Sequence, residues 1–305
     1  MDIARLNDEF GMPGVLGFEE HEGLVRAVVT TPAASATVYL HGAHLTHWQP
    51  TGEEPVLFMS AKSPFQKDKA IRGGVPVIFP WFGDRHDGRP GPAHGFARTA
   101  QWEVGFAALV GEELHLTLTL APNEVSRELG FDKFRVAYQI RVGKTLTMQF
   151  SVANDGEVSL EFEEALHTYF AVKDIRQASV SGLLGAAFLD KRDLDDAGSP
   201  KRKVQDVEPL VITAPTDRLF LDTAATCVID DQAGGRTITV AKSNSGSTVV
   251  WNPWEELTAK LSDMEPEGWV GMLCVETANA ASDAITLAPG GVHVMRAVVT
   301  VERGA

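Results

Sequence analysis

The chain has 305 residues, 44% of them hydrophobic and 22% charged, with a formal net charge of −14. A chain of this length and composition can bury a sizeable core without covalent staples, which excludes a disordered protein. The acidic balance disfavours nucleic acid or an anionic membrane surface as a partner, because both require a positive footprint.

The N-terminal stretch MDIARLNDEFGMPG carries acidic residues and no apolar block of signal-peptide length. No uninterrupted apolar run further on reaches the length of a bilayer span. A cytoplasmic protein is the expectation. The two cysteines, Cys227 and Cys274, agree with a reducing compartment, since they offer neither a disulfide framework nor a Cys pair for zinc.

Between Ala61 and Arg98 the charge reverses: seven basic residues stand against three acidic ones, a local excess of +4 that leaves −18 to the rest of the chain. An acidic protein needs such an island to attract a small anion, although a solvated basic face gives the same count. Inside it, Arg72 lies between Ala70-Ile71 and Gly73-Gly74, where glycines let the backbone turn sharply and admit a ligand closely. A second arginine, Arg98, closes the segment HGFAR. Two converging guanidinium forks suit a phosphate, and the competing reading is that each arginine pairs with a carboxylate.

From there strand patterns dominate. HLTLTL, residues 115–120, alternates polar and apolar; Phe134 to Asn154 reads as two strands folded back at Gly143-Lys144, with the glycine supplying a positive φ. EFEEALHTYF, residues 161–170, would place Glu163, Ala165 and His167 on one face of a strand. His167 is then a candidate proton donor among apolar neighbours, or a satisfied structural histidine. LDKRDLDDAGSPKRKVQD, residues 189–206, reads as a long surface loop or a short helix. RTITVAKSNSGSTVVWNP repeats the hairpin plan with a looser turn, and Asn252 to Gly268, with room for a helical turn, reads as a loop over a sandwich edge.

In GMLCVETANA, Glu276 follows an apolar run, so burial would raise its pKa towards the range useful for proton transfer unless it is an edge carboxylate in solvent. VHVMRAVVTVE supplies a last alternating strand. Trp81, Phe82, Trp251, Trp254 and Trp269 are candidate aromatic walls for the C–H face of a sugar, or core residues. Many short strands with no βαβ alternation predict an all-β fold, a large antiparallel sandwich, in one domain spanning residues 1–305.

Taken in order, AIRGGVPVIFPWFG, HGFAR, EEALHTYF, TDRLF, WNPW and MLCVETANA resemble the glucose-6-phosphate 1-epimerase (hexose-6-phosphate mutarotase) branch of the aldose 1-epimerase superfamily. These segments run from Ala70 to Ala280, most of the chain. The resemblance implies a galactose mutarotase-like supersandwich, with His167 as general acid and Glu276 as general base. It makes Arg72 and Arg98 substrate contacts, to the phosphate, and Asp217 and His94 contacts to the sugar. Where relatives carry a polar residue just before HGFAR this chain has Ala93, which bears on the preferred sugar. Mutarotases of neutral sugars carry a His-Pro pair at the acid, whereas here His167 is followed by Thr168.

The implied reaction interconverts the anomers of a hexose 6-phosphate, a small-molecule substrate, through the open-chain aldehyde. It needs two proton handlers and neither a metal nor a cofactor. Two other readings remain: an epimerase of unphosphorylated sugars, and a carbohydrate-binding protein without catalysis.

Overall fold

The computed structural model describes residues 2–304. Nearly all regular structure in it is antiparallel β-strand. A nine-stranded sheet carries, in its middle, strands Arg236–Ser243, Val292–Arg303, Leu146–Asn154, Phe134–Val142 and Glu113–Leu120. An eight-stranded sheet runs in the order Pro200–Val204, Ala187–Leu194, Thr216–Phe220, Ser247–Asn252, Met272–Asn279, Glu164–Leu166 and Val77–Ile78, with Tyr169–Ala171 also paired to Met272–Asn279. A four-stranded meander at residues 16–50 and a two-stranded sheet complete the set.

The alternation in the sequence explains the nine-stranded sheet. Leu114, Leu116 and Leu118, then Val136, Tyr138 and Ile140, then Met148, Phe150 and Val152 all point inward and are almost fully buried. They form one continuous apolar cluster with Phe170, Phe188, Phe220, Val250, Leu273 and Val275 of the eight-stranded sheet. The two sheets therefore face each other across a common core. The other face of the eight-stranded sheet has its own smaller clusters, around Val249 and Ala278 and around Tyr169 and Cys274. That second face carries the site.

Several sequence expectations change. The turn at residues 143–145 forms as expected, but Gly143 is not among the residues with positive φ. An added Cβ there would lie 2.7 Å from the Glu113 side chain, which would have to move aside, and the Gly143 carbonyl accepts from Trp48 Nε1 at 3.1 Å. Residues 189–206 are neither loop nor helix but most of a hairpin, Ala187–Leu194 with Pro200–Val204. Its opposite charges pair across the strands, Lys203 with Asp190 at 2.8 Å and with Asp193 at 2.7 Å.

Arg236–Ser243 and Ser247–Asn252 are not paired with each other. The first belongs to the nine-stranded sheet and the second to the eight-stranded one. The chain crosses between layers at residues 244–246, where Ser245 Oγ donates to the Ala278 carbonyl at 2.7 Å and Gly246 N–H donates to Asn279 Oδ1 at 2.7 Å. Residues 252–268 include one short helix, Trp254–Thr258. A further helix, Ile3–Phe10, was not read from the sequence; Asp2 caps it, and Ile3, Leu6 and Phe10 pack on the core at helical spacing.

The glycines of AIRGG are needed for chain-to-chain contact, not for an open ligand approach. Gly74 has φ +58°, and a Cβ on it would fall 2.3 Å from the Leu45 carbonyl oxygen. Backbone cannot yield there as a side-chain tip can. Gly74→Ala is expected to lower the unfolding free energy by about 2 kcal/mol or more, measured by urea denaturation.

Candidate active site

Register in the eight-stranded sheet builds the site. Asp217 pairs with Trp251, Trp251 with Cys274, and Cys274 with Tyr169, so one row of side chains crosses four strands. Lys191 extends the row by one strand, a step past the last paired residues Asp190 and Arg218. Glu276 lies two residues along from Cys274, on the same face, opposite Val249. His167 sits between Glu164–Leu166 and Tyr169–Ala171, two short strands that both pair with Met272–Asn279. It is held by its own N–H, which donates to the Pro76 carbonyl at 3.0 Å.

These groups meet in a cleft of about 350 Å³, lined among others by Arg72, Phe82, His94, His167, Lys191, Asp217, Trp251 and Glu276. That size suits a small ligand. A larger groove of about 660 Å³ lies elsewhere, over residues such as Thr119, Ala137 and Ser151. It has no comparable meeting of proton-transferring groups.

His167 Nε2 stands 3.3 Å from Glu276 Oε1, without the alignment of a hydrogen bond. Both carboxylate oxygens of Glu276 and Nδ1 of His167 are buried without any protein partner among the described residues. Such groups are costly in a core and are at home where a ligand completes them. Burial dominates their titration: it holds the His167 imidazolium well below its ordinary range, helped by His94, Arg98 and Arg72. It pushes the Glu276 carboxyl well above the usual carboxylate range, with Asp217 adding repulsion and Lys191 opposing it. Burial therefore favours neutral imidazole beside a neutral carboxyl. Cys274 Sγ approaches the same two groups, the three donor atoms lying within 4.8 Å of one another, and burial raises its thiol well above the ordinary value.

A chain of rings leads through the cleft. Phe82 meets His94 edge-on at 4.8 Å, His94 meets His167 at 5.7 Å, and His167 stacks on Tyr169 at 4.9 Å. Gly83 N–H donates to His94 Nδ1 at 3.2 Å, which places the proton of the neutral ring on Nε2. Burial and nearby cations keep His94 neutral, its pKa lowered to about 3. Glu163 does not join the cleft with His167; its carboxylate accepts from Phe82 N–H at 2.8 Å and Ala281 N–H at 2.7 Å, anchoring the wall.

The arginines divide between the two readings offered by the sequence. Arg72 does pair with a carboxylate: Nη2 and Nε reach Asp263 Oδ2 at 3.0 and 3.1 Å, and Nη1 donates to the Tyr169 hydroxyl at 3.0 Å. A guanidinium has five N–H donors, so part of the fork remains for a ligand. Arg98 has no carboxylate partner among the described residues; its Nη2 donates to the Ala93 carbonyl at 2.7 Å. Burial lowers the Arg98 pKa, and Arg72 repels it, so the two cations share one neighbourhood.

Of the aromatic candidates, Phe82 and Trp251 line the cleft. Trp81 packs against Phe96 and Phe131, and Trp254 against Trp269 at 4.4 Å, so these three are not cleft walls. Tyr169, Lys191 and Asp263 were not singled out in the sequence. Tyr169 had a signal, lying two residues past His167; Asp263 had none, because its partner is 191 positions away.

The pattern of the aldose 1-epimerase family matches residues 26–300. The chain belongs to the aldose 1-epimerase family. A relative from Escherichia coli (strain K12), named "putative glucose-6-phosphate 1-epimerase", is 38% identical over 267 residues, covering 88% of this chain and 87% of the relative. One from Cenchrus ciliaris with the same name is 30% identical, covering 84% of this chain and 78% of the relative. A crystal structure of a "putative mutarotase" from Salmonella typhimurium superposes with a TM-score of 0.87 at 32% identity, covering 96% of this chain and 95% of that one. The antiparallel all-β fold expected from the strand pattern, and the mutarotase-like form of it implied by the resemblance, are thus the fold of this family.

In this member of the family burial raises the Glu276 carboxyl pKa in the folded state above its ordinary value. The folded state then binds the proton more tightly, and stability falls as pH rises above the ordinary carboxylate range. Glu276→Gln removes that penalty. Its melting temperature relative to wild type is expected to rise between about pH 5 and about pH 8, read by scanning calorimetry. A difference that stays constant or shrinks contradicts the buried, unpaired carboxyl.

Proposed function

We propose that the protein interconverts the α and β anomers of a hexose 6-phosphate, glucose 6-phosphate foremost, by general acid–base opening and closure of the ring. The observation that carries this reading is the 3.3 Å approach of His167 to Glu276 inside a cleft that Arg72 also lines. The two oxygens on one anomeric carbon are closer together than that, so a single sugar can touch both groups.

In this reading Glu276 takes the proton of the C1 hydroxyl while His167 donates to the ring oxygen. Rotation about C1–C2 then exposes the other carbonyl face, and closure returns both protons. The proton that His167 donates is the one the pair shares; it passes from Glu276 to the imidazole as substrate binds. Arg72 and Arg98 disfavour the imidazolium, and a phosphate dianion between them offsets that effect. Asp217 and His94 hold the sugar. Each positioned acid or base contributes about a hundredfold to ten-thousandfold, enough for a reaction that water already permits.

The phosphate preference rests on the two guanidinium groups, one of them without a carboxylate partner, and on the names of the relatives. An epimerase of neutral sugars has no use for two half-buried, mutually repelling cations beside its cleft. A binding protein without catalysis has no use for a desolvated acid–base pair. The whole chain, residues 1–305, acts as one domain in this proposal, in the reducing cytoplasm where its free cysteines Cys227 and Cys274 persist. No helix among the described residues is long and apolar enough to cross a membrane.

NMR exchange spectroscopy on glucose 6-phosphate tests the mechanism. His167→Ala and Glu276→Gln are each expected to be folded and to show anomer exchange near the uncatalysed rate; wild-type exchange in either removes that residue from the chemistry. Arg72→Ala is expected to raise KM for glucose 6-phosphate about tenfold or more while changing kcat by less. An unchanged KM would take the phosphate away from Arg72.

A further inference from the structure

Lys191 enters the cleft from strand Ala187–Leu194 and has no assigned role. Its ammonium lies 4.5 Å over the Phe82 ring, the first ring of the series that runs through His94 and His167 to Tyr169. Arg72 is bonded to the last ring of that series. The row across the sheet says the same: Lys191 stands at one end, Tyr169 with Arg72 at the other. The cleft thus has a cation at each end with the acid–base pair between them.

The two ends differ in chemistry. At the arginine end the charge is a fork shared with Asp263. At the lysine end Lys191 stands beside the Asp217 carboxylate, its cross-strand neighbour. The two feel each other's charge but make neither an ion pair nor a hydrogen bond among the described residues, and burial dominates the surroundings of Asp217. An unpaired ammonium and an unpaired carboxylate, held side by side but apart, define a gap with a donor on one side and an acceptor on the other. A hydroxyl group fits such a gap, because it accepts from one and donates to the other at once. A phosphate fits it poorly, since Asp217 would repel it.

We propose that Lys191, acting with Asp217, is a substrate-positioning residue that reads a ring hydroxyl of the hexose at the end of the cleft away from the phosphate, and so sets which hexose is accepted. The proposal rests on the hexose 6-phosphate reading above. It assigns Lys191 to the sugar even though its charge suggests the phosphate. The cation–π contact of the ammonium with the Phe82 ring holds the donor in place, and Glu163 holds Phe82 by its N–H.

Calorimetric binding of glucose 6-phosphate, of its 2-, 3- and 4-deoxy analogues and of inorganic phosphate to wild type and Lys191→Met tests this, methionine keeping an apolar stem over Phe82. The variant is expected to bind glucose 6-phosphate ten- to a hundredfold more weakly, the worth of a hydrogen bond to a charged group, and inorganic phosphate about as wild type does. For one deoxy analogue the gap between variant and wild type is expected to close, because the hydroxyl that Lys191 reads is gone. Asp217→Asn is expected to close its gap on the same analogue, which keeps the test open should Lys191→Met fold poorly.

Equal loss for inorganic phosphate makes Lys191 a phosphate ligand and overturns the proposal. Wild-type affinity in the variant overturns it too, as does a gap that persists for every deoxy analogue. A wild-type protein that binds glucose 6-phosphate but leaves its anomer exchange uncatalysed sinks the catalytic reading and leaves the Lys191 test intact.

Discussion

Strand Met272–Asn279 is hydrogen-bonded to neighbours on both sides and buried along its whole length, and its register decides where Glu276, Trp251, Tyr169 and, between its paired strands, His167 stand. Leu273 and Val275 point into the core shared with the nine-stranded sheet, while Cys274 and Glu276 point the other way. A slip of one residue would turn Glu276 into the apolar core and put Val275 in its place. The large hydrophobic interface between the sheets opposes that slip. Packing on one face of the sheet thus positions chemistry on the other.

The same burial makes the site expensive. Glu276 and His167 leave three polar atoms without protein partners, in surroundings that resist charge on either group. An apolar core could close over that space at lower cost. The rest of the molecule supplies the surplus through many inward-facing strand positions that are wholly buried. Asn279, by contrast, shows a satisfied buried polar group nearby, donating to Glu164 Oε1 at 2.8 Å and to the Asn244 carbonyl at 2.9 Å. Orphaned atoms occur elsewhere too, on His44, Tyr138 and Glu164, and what sets Glu276 and His167 apart is that theirs lie on residues that line the cleft.

Most of the fold was legible because period-two alternation reports a half-buried strand directly, as in residues 113–120 and 134–154. It failed where pairing is not local. Residues 236–252 look like one hairpin, and only the crossing at Ser245 and Gly246, pinned by residues 278 and 279, separates the strands into two sheets. The charged stretch after Leu189 looked like a loop because its charges are mutual partners across a hairpin. Of the candidate site, His167, Glu276, His94, Asp217 and Arg72 share one cleft, and Arg98 lies against its rim through Ala93. Lys191 was hidden by its acidic and basic neighbours, and Asp263 by sequence distance. Both enter through strand order and loop return, which no local pattern encodes.

His167 and Thr168 occupy a gap between two strands that share one neighbour. The ladder to that neighbour stops before the gap and resumes after it, and within it the His167 N–H still holds the Pro76 carbonyl, so the backbone is fixed while the side chains are left free of the pairing. Such a socket separates what a side chain does from what the sheet requires. Exchanging the residues seated in it can alter reactivity without disturbing the frame, which offers one physical route by which a shared scaffold diversifies its substrates.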